Sequence, residues 1–357
     1  MSRLETIAGA IAPLDLAALA DATRRQRLLA KPPGSLGRLE WLSIRLAGIR
    51  GGIGPLTTPA VVVMAADHGV AAEGVSAYPA TVTAEMVRTF LAGGAAINAI
   101  AAAVGARVVV VDMGVSSRVD GPELIDRRIA AGTRNLAQEP AMSRWQAKAA
   151  LEAGIGIADV LAAEGVDLLV PGEMGIANTT SASCIVAAMT GHPPSAVTGR
   201  GTGIDEATRA RKIAVIERAL ARQPLDPTDP VGVLGSLGGF EIGGLAGLCL
   251  GAASHRIPVV LDGLISTAAA LIAVAIAPLT LHYLIAGHQS VEPGHRIALR
   301  ALRLRPLLRL EMRLGEGTGA ALAIPIVRAA TETLATMTLL ENVVGEAHRE
   351  ARLPDSE

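Results

Sequence analysis

Short runs of β-branched and aliphatic residues recur along this chain between longer segments of helical spacing. No other feature restricts the fold as much. The runs are Ala60–Ala65 (AVVVMA), Arg107–Asp112 (RVVVVD), Asp167–Pro171 (DLLVP) and Pro258–Asp262 (PVVLD), with a weaker one at Leu281–Ala286 and a sixth candidate at Val231–Leu234. They are continuous rather than alternating, as strands covered on both faces are. Helix-length segments fill the intervals: Thr83–Val104, Ser143–Ala163, Thr179–Met189, Asp205–Ala221 and Glu241–Ala253. This alternation predicts an α/β chain with a doubly wound, mostly parallel sheet. Only 2% of the residues are aromatic, so the core must be built from Ala, Val, Leu and Ile with much Gly, which suits close helix-on-sheet packing.

The ends read differently. Leu14–Leu29, Leu36–Arg50 and Ala320–Arg349 are helical with no strand candidate among them. We therefore expect residues 51–326 to form a large α/β catalytic domain, and 1–50 with 327–357 to form a small helical subdomain. The stretch from Gly263 to Val291 has no Asp, Glu, Lys or Arg and is long enough to cross a membrane. It also carries Ser266, Thr267 and Pro278, lacks basic flanks and follows Asp262 directly. A buried helix and then a buried strand is the expectation, with no membrane span.

Charge and cysteine content exclude several classes. The 32 basic and 33 acidic residues leave a net charge of −1, so no basic field exists to collect the phosphates of a nucleic acid. Cys184 and Cys249 lie far apart in small or apolar surroundings. They read as buried free thiols in a reducing cytoplasm, not as a disulfide framework or a metal clip. Glu5 and Asp15 interrupt the N-terminal apolar stretch, which does not read as a secretory signal.

Ligands of an open parallel sheet bind at the carboxyl ends of its strands, and those positions are rich here. Asp67 and His68 follow the first run, either as an acid–base pair or as loop-orienting groups. Gly175, Asn178, Thr179, Thr180 and Ser181 follow the third, where hydroxyls and backbone N–H groups at a helix start favour an anion or serve as a plain cap. Gly201, Thr202 and Gly203 sit in a second glycine-rich loop, and Lys212 two turns into the next helix either reaches a phosphate or faces solvent. Asp262 follows the fourth run. His288, Ser290, Glu292 and His295 follow the fifth, but Pro293 and Gly294 break the helix that would set the two histidines and Glu292 on one face as metal ligands. Glu316 stands between glycines at the start of a nearly all-apolar segment, where desolvation would raise its pKa toward that of a useful general base. Gly238–Gly244 reads as an element that permits close helix–sheet packing, with Glu241 exposed or gating a site.

Taken in order, these segments resemble a known family. Lys31-Pro-Pro-Gly-Ser-Leu-Gly-Arg-Leu-Glu40, Ala66-Asp67-His68-Gly69, Gly93-Gly-Ala-Ala-Ile-Asn98, Gly172-Glu-Met-Gly-Ile-Ala-Asn-Thr-Thr180, Gly199-Arg-Gly-Thr-Gly203, Gly238-Gly-Phe-Glu-Ile242, Asp262-Gly263, Ser290-x-Glu292-x-Gly294-His295 and Gly315-Glu-Gly-Thr-Gly319 follow the order of the nicotinate-nucleotide–dimethylbenzimidazole phosphoribosyltransferases. The resemblance implies a Rossmann-like large domain, a small helical domain and a homodimer. It implies transfer of the 5-phosphoribosyl group of nicotinate mononucleotide to 5,6-dimethylbenzimidazole, with inversion at the anomeric carbon and without a cofactor or metal. It makes Glu316 the general base and sets Glu173 near the ribosyl and azole groups. Thr179, Thr180, Gly201, Thr202, Gly203 and Lys212 become candidates for the phosphate, and Gly175, Asn178, Asp262 and Ser290 further substrate contacts. There are two departures. Glu85 stands where the family often has Gln, which bears on the base accepted if its helix lines the base pocket. Gly287 stands where the family often has Ser before the histidine. An enzyme of this type preferring another azole, a purine or a phenol remains open, as does a non-catalytic nucleotide-binding protein.

Overall fold

The computed structural model describes residues 3–343 except 202 and 223. Six strands, β1 (Pro59–Ala66), β2 (Arg107–Gly114), β3 (Leu124–Asp126), β4 (Leu168–Met174), β5 (Val259–Leu261) and β6 (Leu284–Ala286), form one sheet in the order β3-β2-β1-β4-β5-β6. Every pairing is parallel. All of β1 and nearly all of β4 are buried, which is why their sequences show no polar alternation. Two strand expectations change. β3 carries no apolar run, so a three-residue edge strand escapes a reading based on such runs. Val231–Leu234 is helical, since Asp229 caps a helix there by accepting from the Gly232 N–H at 3.1 Å and Pro230 suits its first position.

The helices are α1 (Arg3–Ala10), α2 (Leu16–Leu28), α3 (Arg38–Arg50), α4 (Val82–Leu91), α5 (Ala96–Val104), α6 (Arg144–Ala163), α7 (Asn178–Thr190), α8 (Pro194–Val197), α9 (Glu206–Ala221), α10 (Pro230–Leu237), α11 (Phe240–Ser254), α12 (Leu264–Ile276), α13 (Pro293–Ala301), α14 (Thr318–Ala321) and α15 (Ile324–Thr336). The span Val82–Val104 is long and apolar enough to cross a membrane by length and composition. The single helix expected there is two, because the chain turns at Gly93 (φ 75°) and restarts at Ala96. Residues 263–291 form the buried α12, a short 3-10 turn and β6.

Buried α11 lies against β1, β2, β4 and β5, and packs most closely on α6. Its glycines permit this approach: a side chain at Gly247 would overlap the Leu151 carbonyl, and one at Gly154 of α6 would overlap the Gly244 carbonyl. Backbone-to-backbone contact of this kind needs no aromatic filler, in keeping with the composition.

The chain divides into two compact units, residues 3–12 with Thr58–Ile324 and Pro13–Thr57 with 325–343. The sequence pattern groups residues 3–12 with the helical subdomain. They join the larger unit instead, where Leu4 is buried and Arg3 pairs with Asp159 at the end of α6. The smaller unit holds α2, α3 and most of α15 around Ala22, Ala47 and Leu334. Its Lys31 and Glu40 form a 2.7 Å ion pair largely shielded from solvent. The helix expected over Ala320–Arg349 is broken into α14, α15 and a further helical turn from residue 340, parted from α15 by Leu339, which bridges to Leu29; residues 344–349 lie outside those described.

Candidate active site

Strand order reverses at β1, with β2 on one side and β4 on the other, and a crevice opens at the carboxyl ends of such neighbours. Glu173 occupies this position, paired in register with Met64 near the end of β4. The chain then turns through Gly175 and Ala177 (φ 74°) into α7. A cleft of about 810 Å³, counting its open mouth, is lined here by Glu173, Gly175, Asn178, Thr179, Lys212, Asp262 and Ser290, with Gly201, Glu292, Arg313 and Gly315 completing its wall. Its size suits a nucleotide.

One of the two cations on the cleft wall is buried and the other is exposed. Lys212 of α9 is 1% exposed, and its ammonium donates to Thr179 Oγ1 at 2.7 Å. Burial lowers its pKa to about 8, against the opposing pull of Glu292 and Cys184. Arg313 Nη1 donates to the Gly201 carbonyl at 3.0 Å and brings a second cation to the same wall. The start of α7 offers less than the sequence suggests, because the N–H groups of Asn178 and Thr180 close turns onto Gly175 and Ala177.

Glu173 and Asp262 line the cleft, and Glu316 lies close to them behind the Gly315 wall. Glu173 accepts from the Asn178 amide, and its carboxyl group lies directly over Gly315, where any side chain would collide with it. Burial pushes the Glu173 pKa up to about 8, opposed by the Asn178 hydrogen bond and reinforced by Glu241, Asp262 and Glu316. Asp262 accepts from the Ala320 N–H at 3.0 Å and lies 3.1 Å from His288. Glu316 adopts a left-handed conformation (φ 61°) and is 5% exposed. Its Oε2 accepts from the Ile97 N–H at the start of α5, 3.2 Å away. Burial raises its pKa, the Ile97 hydrogen bond opposes the rise, and Asp262 adds to it. The Gly93–Asn98 element thus serves Glu316: it breaks the helix so that α5 begins against this carboxylate. Gly172 completes the arrangement, for a methyl group there would strike the Glu316 carbonyl.

The cleft therefore gathers Glu173, Gly175, Asn178, Thr179, Gly201, Lys212, Asp262 and Ser290, and Gly315 brings its wall to Glu316. Other sequence candidates lie elsewhere. Glu85 is on the exposed face of α4, bonded to Arg88 at 2.7 Å. Thr180 is buried within α7 and Gly203 is beyond the lining, while Thr202 lies outside the described residues. Glu241 is neither exposed nor a gate. It is fully buried and bonded to His68 at 2.7 Å. Asp67 does not pair with His68 either, but accepts from the Ser116 N–H at 2.7 Å, so both residues tie loops together. His295 Nδ1 accepts from the Ser290 N–H at 3.0 Å, and burial beside His288 drops its pKa to about 3. Among the described residues no three His, Cys, Asp or Glu side chains converge as metal ligands. Cys184 and Cys249 are buried free thiols, their pKa values raised to about 12 by burial. Arg313 had no sequence signal beyond its place just ahead of the Gly315–Gly319 element.

A nucleotide-sized cleft at the switch point of a parallel sheet, with cations on one wall and carboxyl groups of raised pKa below, belongs to an enzyme that moves a phosphorylated group. Residues 11–344 match the family model described as phosphoribosyltransferase. Two curated relatives are named nicotinate-nucleotide–dimethylbenzimidazole phosphoribosyltransferase: one from Chloroflexus aggregans, 58% identical over 97% of this chain and 99% of its own length, and one from Roseiflexus sp. (strain RS-1), 58% identical over 94% and 96%. The crystal structure of CobT from Thermus thermophilus superposes with a TM-score of 0.89 at 48% identity, covering 92% of this chain and 98% of that one. The chain belongs to the nicotinate-nucleotide–dimethylbenzimidazole phosphoribosyltransferase family.

Proposed function

We propose that this enzyme transfers the 5-phosphoribosyl group of nicotinate mononucleotide to 5,6-dimethylbenzimidazole, giving α-ribazole 5′-phosphate and nicotinate, with Glu316 as the general base. The observation that carries the reading is the pair of unlike carboxyl groups, Glu173 in the cleft and Glu316 next to Gly315 of its wall. Glu173, with a pKa near 8, holds its proton at neutral pH, and Glu316 is the one anchored as an acceptor by a backbone N–H. Environments that separate the roles of neighbouring carboxyl groups assign the acid–base work.

The donor carries a pyridinium leaving group, so nicotinate departs with the bonding pair and needs no proton. One nitrogen of the benzimidazole attacks the anomeric carbon from the opposite face, which inverts it. The proton on the other nitrogen passes to Glu316. A positioned base contributes about 10²–10⁴-fold, and alignment of two bound reactants up to roughly 7–11 kcal/mol. Lys212 with Thr179, beside Gly201, holds the phosphate, Gly175 and Asn178 border the sugar, and Asp262 and Ser290 lie along the wall it shares with the base. Neutral Glu173 fixes the local field by donating or accepting one hydrogen bond without adding charge. Buried, unpaired thiols support a cytoplasmic setting, and the family resemblance supports a homodimer.

The test is a chromatographic assay of the purified enzyme with both substrates. Nicotinate and α-ribazole phosphate should form in equal amounts, and Glu316→Gln should lower turnover at least about 10²-fold while nicotinate mononucleotide still binds. Turnover near wild type in the Gln variant would remove Glu316 as base. Binding without turnover on any azole, purine or phenol would favour a non-catalytic protein.

A further inference from the structure

A carboxylate stands on the phosphate side of the cleft, where the reaction just described has no use for one. Glu292, 6% exposed, caps α13 and lines the cleft beside Lys212. Its Oε1 accepts from the Gly201 N–H at 2.8 Å, while Oε2 is buried and has no hydrogen-bond partner. The group is fixed in place. Its own backbone N–H donates to Ser290 Oγ at 3.3 Å, its carbonyl accepts from the His295 N–H at 3.1 Å, and its carboxylate lies flat on Gly199, where a methyl group would overlap it. A buried acceptor left unpaired is costly. A phosphate cannot satisfy it, because both are anions. Hydroxyl groups can.

We infer that Glu292 is the acceptor for the ribose hydroxyls of the donor nucleotide, and that it makes the enzyme selective for ribo- over deoxyribonucleotides. This rests on the nucleotide-donor reading above. The chemistry of the donor places its parts: its vicinal hydroxyls are two and three carbons along the ring from the phosphate-bearing arm, so a phosphate on Lys212 brings them to the neighbouring acceptor. A hydroxyl shared with a charged acceptor discriminates by about 10- to 100-fold against a substrate lacking it. An amide keeps the Oε1 acceptor for Gly201 but offers the hydroxyls only an uncharged partner, so the preference should shrink while the loop stays in place.

Nicotinate mononucleotide and its 2′-deoxy and 3′-deoxy forms are titrated calorimetrically without acceptor, and their kcat/KM values are measured with 5,6-dimethylbenzimidazole. Inorganic phosphate serves as a competitor that reports only the anion subsite. In the wild type at least one deoxy form should bind about 10- to 100-fold more weakly. In Glu292→Gln that penalty should fall below about 3-fold, whatever common shift the lost charge beside Lys212 gives to all the ligands, phosphate included. Equal binding of all three nucleotides by the wild-type enzyme overturns the assignment without recourse to any variant. So does a variant that keeps the full penalty while it tightens every ligand equally, phosphate included, which would make Glu292 only a charge beside Lys212. Failure of any ribonucleotide to bind would instead overturn the donor-site reading itself.

Discussion

Replacing Glu173 by Gln should stabilise the protein, and by an amount that grows with pH. The folded chain holds the Glu173 proton up to about pH 8, whereas the unfolded chain releases it near the ordinary value of 4.5. Between those limits the unfolded state binds fewer protons, so wild-type stability falls as pH rises through that window. Each pKa unit is worth about 1.4 kcal/mol, which makes the loss on the order of 3 kcal/mol by pH 7. Glutamine cannot ionise, keeps an oxygen for the Asn178 amide, and escapes this loss. For a unit of this size the difference is about 5 °C in melting temperature. Thermal unfolding of both proteins followed by circular dichroism from pH 5 to pH 8 measures it directly. The gap should be near zero at pH 5, widen steadily, and level off above pH 8. A constant gap across the range, or one that widens toward acid, would refute a buried, protonated Glu173.

Two further substitutions probe the walls of the cleft. Lys212→Met should weaken nicotinate mononucleotide by about 10- to 100-fold in calorimetry, the worth of a charge-assisted hydrogen bond. Wild-type affinity should itself fall as pH rises through about 8, where the buried ammonium loses its proton, and an unchanged dissociation constant would place the phosphate elsewhere. Gly172→Ala should cost about 1–3 kcal/mol of stability and more in turnover, because its methyl group displaces the Glu316 carbonyl. Gly9→Ala is the control, since a side chain there meets nothing within 4 Å and should leave turnover as it is.

The layers of this fold were readable because burial on both faces writes itself into single strands. β1 and β4 are continuous apolar runs for that reason, and the glycines of α11 announced a close helix contact. Where local signals are thin, sequence and structure part. Edge strand β3 has three residues and no pattern, and the Val-rich start of α10 has strand composition but a helix cap and a proline ahead of it. The split between α4 and α5 rests on the paired glycines at 93 and 94, which look dispensable in a helical run until Ile97 is seen facing Glu316.

Charged residues divided along another line. Glu316 was legible because glycines flank it, and glycine marks a backbone that something must approach, whereas Glu173 was reached only through the family resemblance. The partner of a charge is not always written beside it. Glu85 and Glu241 both occupy helices, yet one lies in solvent against Arg88 and the other is sealed against His68 from a loop more than a hundred residues away. Lys212 has the spacing of a surface lysine, and only the arrival of Thr179 from α7 and Glu292 from the start of α13 makes it part of a binding site. Lys212, Glu241, Asp262 and Glu316 each meet a group from a distant segment, and the sheet order decides which segments meet. In the proposed reading, α7 and α9 serve the donor phosphate, the β4 turn and the β6 loop its sugar, and the Gly315–Gly319 loop the attacking azole. A substitution on one of them should therefore alter recognition of its own part of the substrates before it alters the others.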